Sequence, residues 1–271
     1  MKNPIRKVAA SCLIAAALMP SSLLADTASD SWEFKAAIYG WFPDISGQTH
    51  VPVPGGGDFT IGIGDILDNL KFTFQGSFDA RKGNWGLVTD VIYLDVGATR
   101  KDVVNGMVGG TQLPWEINGK VGLDMKSLVW SAAGYYRMVE EPDKSFDMLA
   151  GVRYADIEQG INWSLSGDIG ETPLPGREGK VNISADYWDF IIGLRGQFTL
   201  GQSGKWFIPY YADIGTGESD MTWQALAGLG YSFNWGEVAA VYRYLDYDLP
   251  SGKPIADMNL SGPAVGAVFR W

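Results

Sequence analysis

The chain has 271 residues, 46% of them hydrophobic and 13% aromatic, with 35 glycines, which suits one sizeable domain or one medium barrel. Its formal net charge of −10 argues against nucleic acid, whose phosphates require basic surfaces. Beyond the first thirty residues there is no run of eighteen apolar residues, so the pattern of a helical membrane protein is missing.

At the N-terminus, Lys2, Arg6 and Lys7 precede an apolar stretch from Val8 to Met19, and small or apolar residues follow up to Ala25. This order predicts a cleaved secretory signal over 1–25. About a dozen apolar residues are too few to cross a bilayer as a helix, which takes about 20. Cleavage removes three basic residues and no acidic ones, taking the net charge from −10 to about −13. Cys12 is the single cysteine and lies inside the signal, so a mature chain over 26–271 has no disulfide, thiolate or cysteine-ligated metal chemistry.

From there the dominant period is two. Ten segments, 31–42, 70–81, 85–98, 120–137, 145–158, 184–200, 205–215, 221–233, 236–248 and 259–271, read as strands separated by Gly-, Pro-, Asp- and Asn-rich breaks. Along 188–200, Trp188, Phe190, Ile192, Leu194, Phe198 and Leu200 share one face, and Asp189, Arg195 and Gln197 the other. The same contrast sets Met148, Ala150, Val152 and Tyr154 against Asp147, Leu149, Gly151 and Arg153. It recurs in Val265, Ala267, Phe269 and Trp271 against Gly266, Val268 and Arg270.

Short connections (82–84, 141–144, 201–204, 234–235) alternate with longer ones near 43–69, 99–119, 159–183, 216–220 and 249–258. Tight turns on one rim and long extracellular loops on the other are how bacterial single-chain barrels are built. The predicted class is all-β: one closed antiparallel transmembrane β-barrel of about ten strands, within a range of eight to twelve, in a bacterial outer membrane. Aromatics near segment ends, among them Trp32, Tyr39, Trp41, Trp85, Tyr93, Tyr135, Trp206, Tyr210, Trp223, Tyr244 and Trp271, would form two interfacial belts. Within the first long connection, Asp65 to Leu70 reads as one helical turn, either in a plain loop or in a lid dipping into the lumen.

The chain resembles bacterial outer-membrane barrel proteins. It ends in an alternating strand closed by Phe269-Arg270-Trp271, and a terminal aromatic resembles the signal by which such proteins engage their insertion machinery; Trp271 stands where Phe is usual. The stretches WFPDISG (41–47), GDILDNL (64–70) and DARKGNWGLVTDVIYLD (79–95) together look like a widespread, poorly characterised proteobacterial family of small barrels.

Chemistry-bearing motifs are scarce. His50 is the single histidine and sits in the Gly/Pro-rich run THVPVPGGG, which disfavours Ser/His catalysis and rules out a histidine-cluster metal site within one chain. No phosphate-binding glycine loop leads from a strand into a helix, and no cofactor is implied. Acidic residues of the long connections, Asp44, Asp58, Asp65, Asp68, Asp156, Glu158, Asp168, Glu171 and Glu178, read as a solvated rim that lacks the twelve-residue calcium loop.

Alternation assigns fourteen charges to the lumen: Glu33, Lys35, Asp79, Arg81, Asp90, Asp124, Lys126, Asp147, Arg153, Asp189, Arg195, Asp213, Arg243 and Arg270. Equal numbers of acids and bases favour a plug of paired charges, because an unpaired charge at low dielectric is costly. Two further readings stay open. The charges could line a narrow passive pore for small solutes, or Asp147 and Asp189 could act as an acid/base pair. The expected function is accordingly that of a surface or structural barrel without enzymatic activity; the alternative is an outer-membrane hydrolase of the lipid A or protease type. Expected partners are outer-membrane lipid, lipopolysaccharide and the insertion machinery, through Trp271.

Overall fold

The computed structural model describes residues 31–49, 58–108, 111–169, 172–173, 177–250 and 255–271. The expected signal over 1–25, Cys12 and His50 lie outside them. The elements in chain order are β1 (Trp32–Trp41), β2 (Asp44–Thr49), β3 (Asp58–Ile61), α1 (Ile63–Asn69), β4 (Leu70–Lys82), β5 (Trp85–Val108), β6 (Thr111–Glu141), β7 (Lys144–Ile169), β8 (Thr172–Pro173), β9 (Arg177–Leu200), β10 (Trp206–Gly217), β11 (Met221–Ser232), β12 (Gly236–Asp248) and β13 (Ile255–Arg270).

Ten of these strands close a barrel in the order β1-β4-β5-β6-β7-β9-β10-β11-β12-β13, with β13 returning to β1. Every pairing is antiparallel, and the closing register runs from Lys35 opposite Arg270 to Trp41 opposite Ala264. Closure leaves no sheet edge in hydrocarbon, where unpaired backbone groups would each cost several kcal/mol. The short connections form one rim. At the β4–β5 turn, Gly83 takes φ 58°, a left-handed conformation that a side chain disfavours.

Along β9 the alternation read from the sequence matches the observed faces. Phe190 is 71% exposed and Ile192 64%, while the intervening Ile191 is 1% exposed. The outward rows end in two aromatic belts. Near the short-turn rim, Trp32 stacks on Phe34, which stacks in turn with Phe78 and Trp271, Trp85 meets Tyr136 and Trp206 meets Tyr231. Near the other rim, Trp188 packs against Trp130 and Tyr154 and Trp223 stacks on Tyr244. Along β9 the belts are marked by Phe198 and Trp188, roughly 33 Å apart at about 3.3 Å per residue. A strand tilt near 40° reduces that to about 25 Å, the height of the apolar band of an outer-membrane barrel. Tyr39, Trp41 and Tyr135 were expected in the belts but point inward, and Trp41 and Tyr135 are each 2% exposed.

The intervals 99–119 and 159–183, expected as loops, are largely strand. Strands β5, β6, β7 and β9 run for 24, 31, 26 and 24 residues, whereas β10, β11 and β12 run for 12, 12 and 13. Two antiparallel neighbours can extend each other's ladder into water, so nothing in the hydrogen bonding stops them where the lipid ends.

Near Trp41 the wall changes construction. Pairing of β1 with β4 stops at Ile38 and Gly76, and the Gln75 amide takes over: its Oε1 accepts from the Trp41 backbone N–H, and its Nε2 donates to the Trp41 carbonyl at 3.2 Å. Beyond Pro43, β2 continues along β13, with Ile45 opposite Leu260, and β3 pairs with β2. Chain and side chain together deliver β2 and α1 over the long-loop end of the lumen.

Candidate functional site

The lumen has two unlike halves. Toward the long-loop rim it is filled by an apolar cluster including Trp41, Ile45, Ile66, Leu245, Tyr247 and Met258, each at most 3% exposed. Ile66 comes from α1 and Ile45 from β2, so both insertions contribute to the plug. The segment expected as one helical turn is therefore a helix of seven residues acting as a lid. Its N-cap, Gly62, has no side chain to cap with. Instead Asp44 Oδ1 accepts from the Ile63 backbone N–H at 2.7 Å, supplying the acceptor that a helix start needs.

Below the plug, charged side chains cross the lumen in tiers. In one, Arg243 donates to Asp90 at 2.8 Å, to Tyr39 at 3.0 Å and to Gln224 at 2.7 Å, while the Tyr39 hydroxyl donates to Asp90 at 2.7 Å. In another, Arg153 pairs with Asp213, both side chains wholly buried. Arg153 also donates to Ser131 at 3.2 Å and Thr222 at 3.1 Å, and Tyr211 donates to Asp213 at 2.5 Å. Asp189 is 2% exposed and accepts from the Ser219 backbone N–H at 3.0 Å.

Nearer the short-turn mouth, Arg195 lies over the Tyr135 ring, 3.9 Å from its centroid. It pairs with Asp79 and, at 3.1 Å, with Asp147. Tyr135 donates to Asp79 at 2.8 Å. Asp147 also accepts from Arg137 at 2.6 Å, Arg81 joins Glu33 and Glu140 at 2.6 and 2.7 Å, and Arg270 pairs with Glu237. These pairs satisfy charges that would otherwise be costly away from bulk water. A ten-stranded lumen is wider than side chains just fill, and long arginines that reach across it suit that width.

Twelve of the fourteen charges assigned to the lumen are there. Asp124 and Lys126 are not: on β6 the inward positions are Met125, Ser127 and Val129, all buried. Asp124 instead meets Lys71 at 2.7 Å in an exposed pair. The inward row of β6 carries mainly apolar plug residues, so its two faces look alike in sequence. The same mistaken parity concealed Arg137. Glu237 could have been found, because it shares parity with Arg243 along β12. The strand register sets Asp147 opposite Arg195 and Asp189 opposite Arg153, which separates the two acids by roughly 20 Å along the strands; they form no acid/base pair.

Beyond the upper belt, on the outer face of β7 and β9, Asp156 stands opposite Asp186. Loss of hydration, then the charges of Glu158 and Asp186, push its carboxyl above the ordinary aspartate range. Among the described residues no group of three or more His, Cys, Asp or Glu is placed to hold a metal ion.

A cavity of about 330 Å³ lies between the plug and the short-turn mouth. A smaller space of about 180 Å³, deeper along Ser131 and Ile191, shares Asp90, Arg195 and Arg243 with it.

No protein-family model matches the sequence, and no curated protein is significantly similar to it. Among solved structures, the outer membrane protease OmpT from Escherichia coli shares the fold, with a TM-score of 0.52 at 10% identity over 90% of this chain and 98% of that one. The translocator domain of the autotransporter NalP from Neisseria meningitidis gives 0.39 at 16% identity, over 91% and 90% of the two chains. Ail of Yersinia pestis, solved with a heparin analogue, gives 0.32 at 12%, over 89% and 98%. The OmpT likeness shows the fold of a closed β-barrel, and the ten-stranded closed wall, the outward apolar rows and the two belts are those of a barrel of the bacterial outer membrane.

Proposed function

We propose that this barrel is a surface and structural protein of the outer membrane whose lumen is shut at its extracellular end, and that it belongs among the small proteobacterial barrels its motifs resemble. The observation that carries the reading is the plug: Ile45, Leu245, Tyr247 and Met258 are completely buried inside the wall, with Ile66 of the lid among them. A passive pore needs a wetted path, and an apolar constriction opposes one by excluding water. In this orientation the short turns, with Trp32 of β1 and Trp271 after β13, face the periplasm. Trp271 is then presented to the insertion machinery, and the tall strands β5, β6, β7 and β9 stand among lipopolysaccharide headgroups.

The test is conductance of the purified barrel in planar bilayers. The wild type is expected to show no steps above bilayer leak. Ile66→Asp, which places a charge in the plug, is expected to conduct. Regular conductance steps from the wild type would restore the pore reading.

A further inference from the structure

The cavity contains one cation that has no directly bonded partner among the described residues. Lys35 projects from β1 into it and makes no hydrogen bond or ion pair with any described residue. Every other charge lining the space has an opposite partner: Asp90 with Arg243, Asp79 with Arg195, Asp147 with Arg137 and Glu237 with Arg270. The acids Glu33 and Glu140 lie at the mouth, with side chains 44% and 54% exposed, and are shared with Arg81. Much of the remaining wall is apolar, including Ala37, Val88, Leu226, Ala239 and Val241. A space of about 330 Å³ is within the range that holds a small organic molecule.

We infer that this chamber is a binding site, entered from the short-turn mouth, for a small monocarboxylate with an apolar body, its carboxylate on the Lys35 ammonium and its body against Ala37, Leu226 and Ala239. One ammonium without a direct partner matches one carboxylate. A dianion would bring surplus negative charge beside Asp79, Asp147 and Glu237, where low dielectric magnifies repulsion. The ammonium, with three rotatable donors on a flexible stem, can meet a carboxylate without disturbing the arginine pairs. A neutral analogue would offer the half-buried ammonium no counter-charge and so bind poorly. The inference is independent of the plug, since the chamber lies below it.

The probe is benzoate, titrated calorimetrically into the full barrel in lipid nanodiscs, with empty nanodiscs as reference. Saturable binding at one site is expected, with none for benzyl alcohol. Lys35→Met should weaken it by about tenfold or more, the loss of a charge-assisted hydrogen bond, and Ala239→Phe should abolish it by filling the chamber. Heat-modifiable gel mobility verifies that each variant is folded. Binding no greater than to empty nanodiscs, equal binding by both folded variants, or displacement of benzoate by an equal concentration of chloride would each overturn the inference.

Discussion

Asp44 and Ile63, nineteen positions apart, join the stretches WFPDISG (41–47) and GDILDNL (64–70). WFPDISG contributes the carboxylate, and GDILDNL follows directly from the amide it caps. A plain role follows for both: one holds the start of the lid that the other forms. Asp44→Ala should therefore cost the lid about 0.5–2 kcal/mol, the usual worth of an N-cap. The expected readout is faster amide hydrogen exchange across 63–69, with the barrel's heat-modifiable transition nearly unchanged. Unchanged exchange would show that Ile66 packing alone seats the helix.

Arg153 and Asp213 should behave as a unit. Asp213→Ala leaves a buried guanidinium without its carboxylate, and breaking a buried pair on one side costs about 3–5 kcal/mol. Replacing both, as Arg153→Met with Asp213→Leu, should recover most of that loss. Urea unfolding in vesicles across the double-mutant cycle measures the coupling. Additive losses would mean that Ser131, Thr222 and Tyr211 already satisfy the two groups separately.

The outward row predicts a strong positional contrast. Ile192, 64% exposed, lies between the belts, where an arginine facing lipid costs about 2–4 kcal/mol. Ile192→Arg should accordingly lower folding yield and urea stability in vesicles. Trp235→Arg, at a short turn and 51% exposed, should cost about 1 kcal/mol or less by the same scale. Equal losses at both positions would contradict the assigned depth of the hydrocarbon.

The wall was legible where one face meets lipid and the other meets charge. Strand β9, with Asp189, Arg195 and Gln197 opposite an unbroken apolar row, could be assigned by eye. Strand β6 could not, since Met125, Val129 and Ala133 look inward while Leu128, Trp130 and Ala132 look outward, and no chemical contrast separates them. The charges themselves were legible as lumen residues, but their partners were not. Pairing depends on the stagger between strands, which decides that Asp147 meets Arg137 and Arg195 rather than Asp189. The plug was hinted at only by the short helical signal at 65–70, because Trp41, Leu245 and Met258 come from three separate strands and share no local motif.

The unequal heights of the strands give the barrel a lopsided lip. Strands β5, β6, β7 and β9 overtop β10, β11 and β12 by roughly 12 residues, or about 40 Å along the strand. A macromolecule coming to the mouth from outside has its open approach over the low side, with the four-stranded parapet as a backstop. Access to the lid thus has a compass direction, set by ladder length alone.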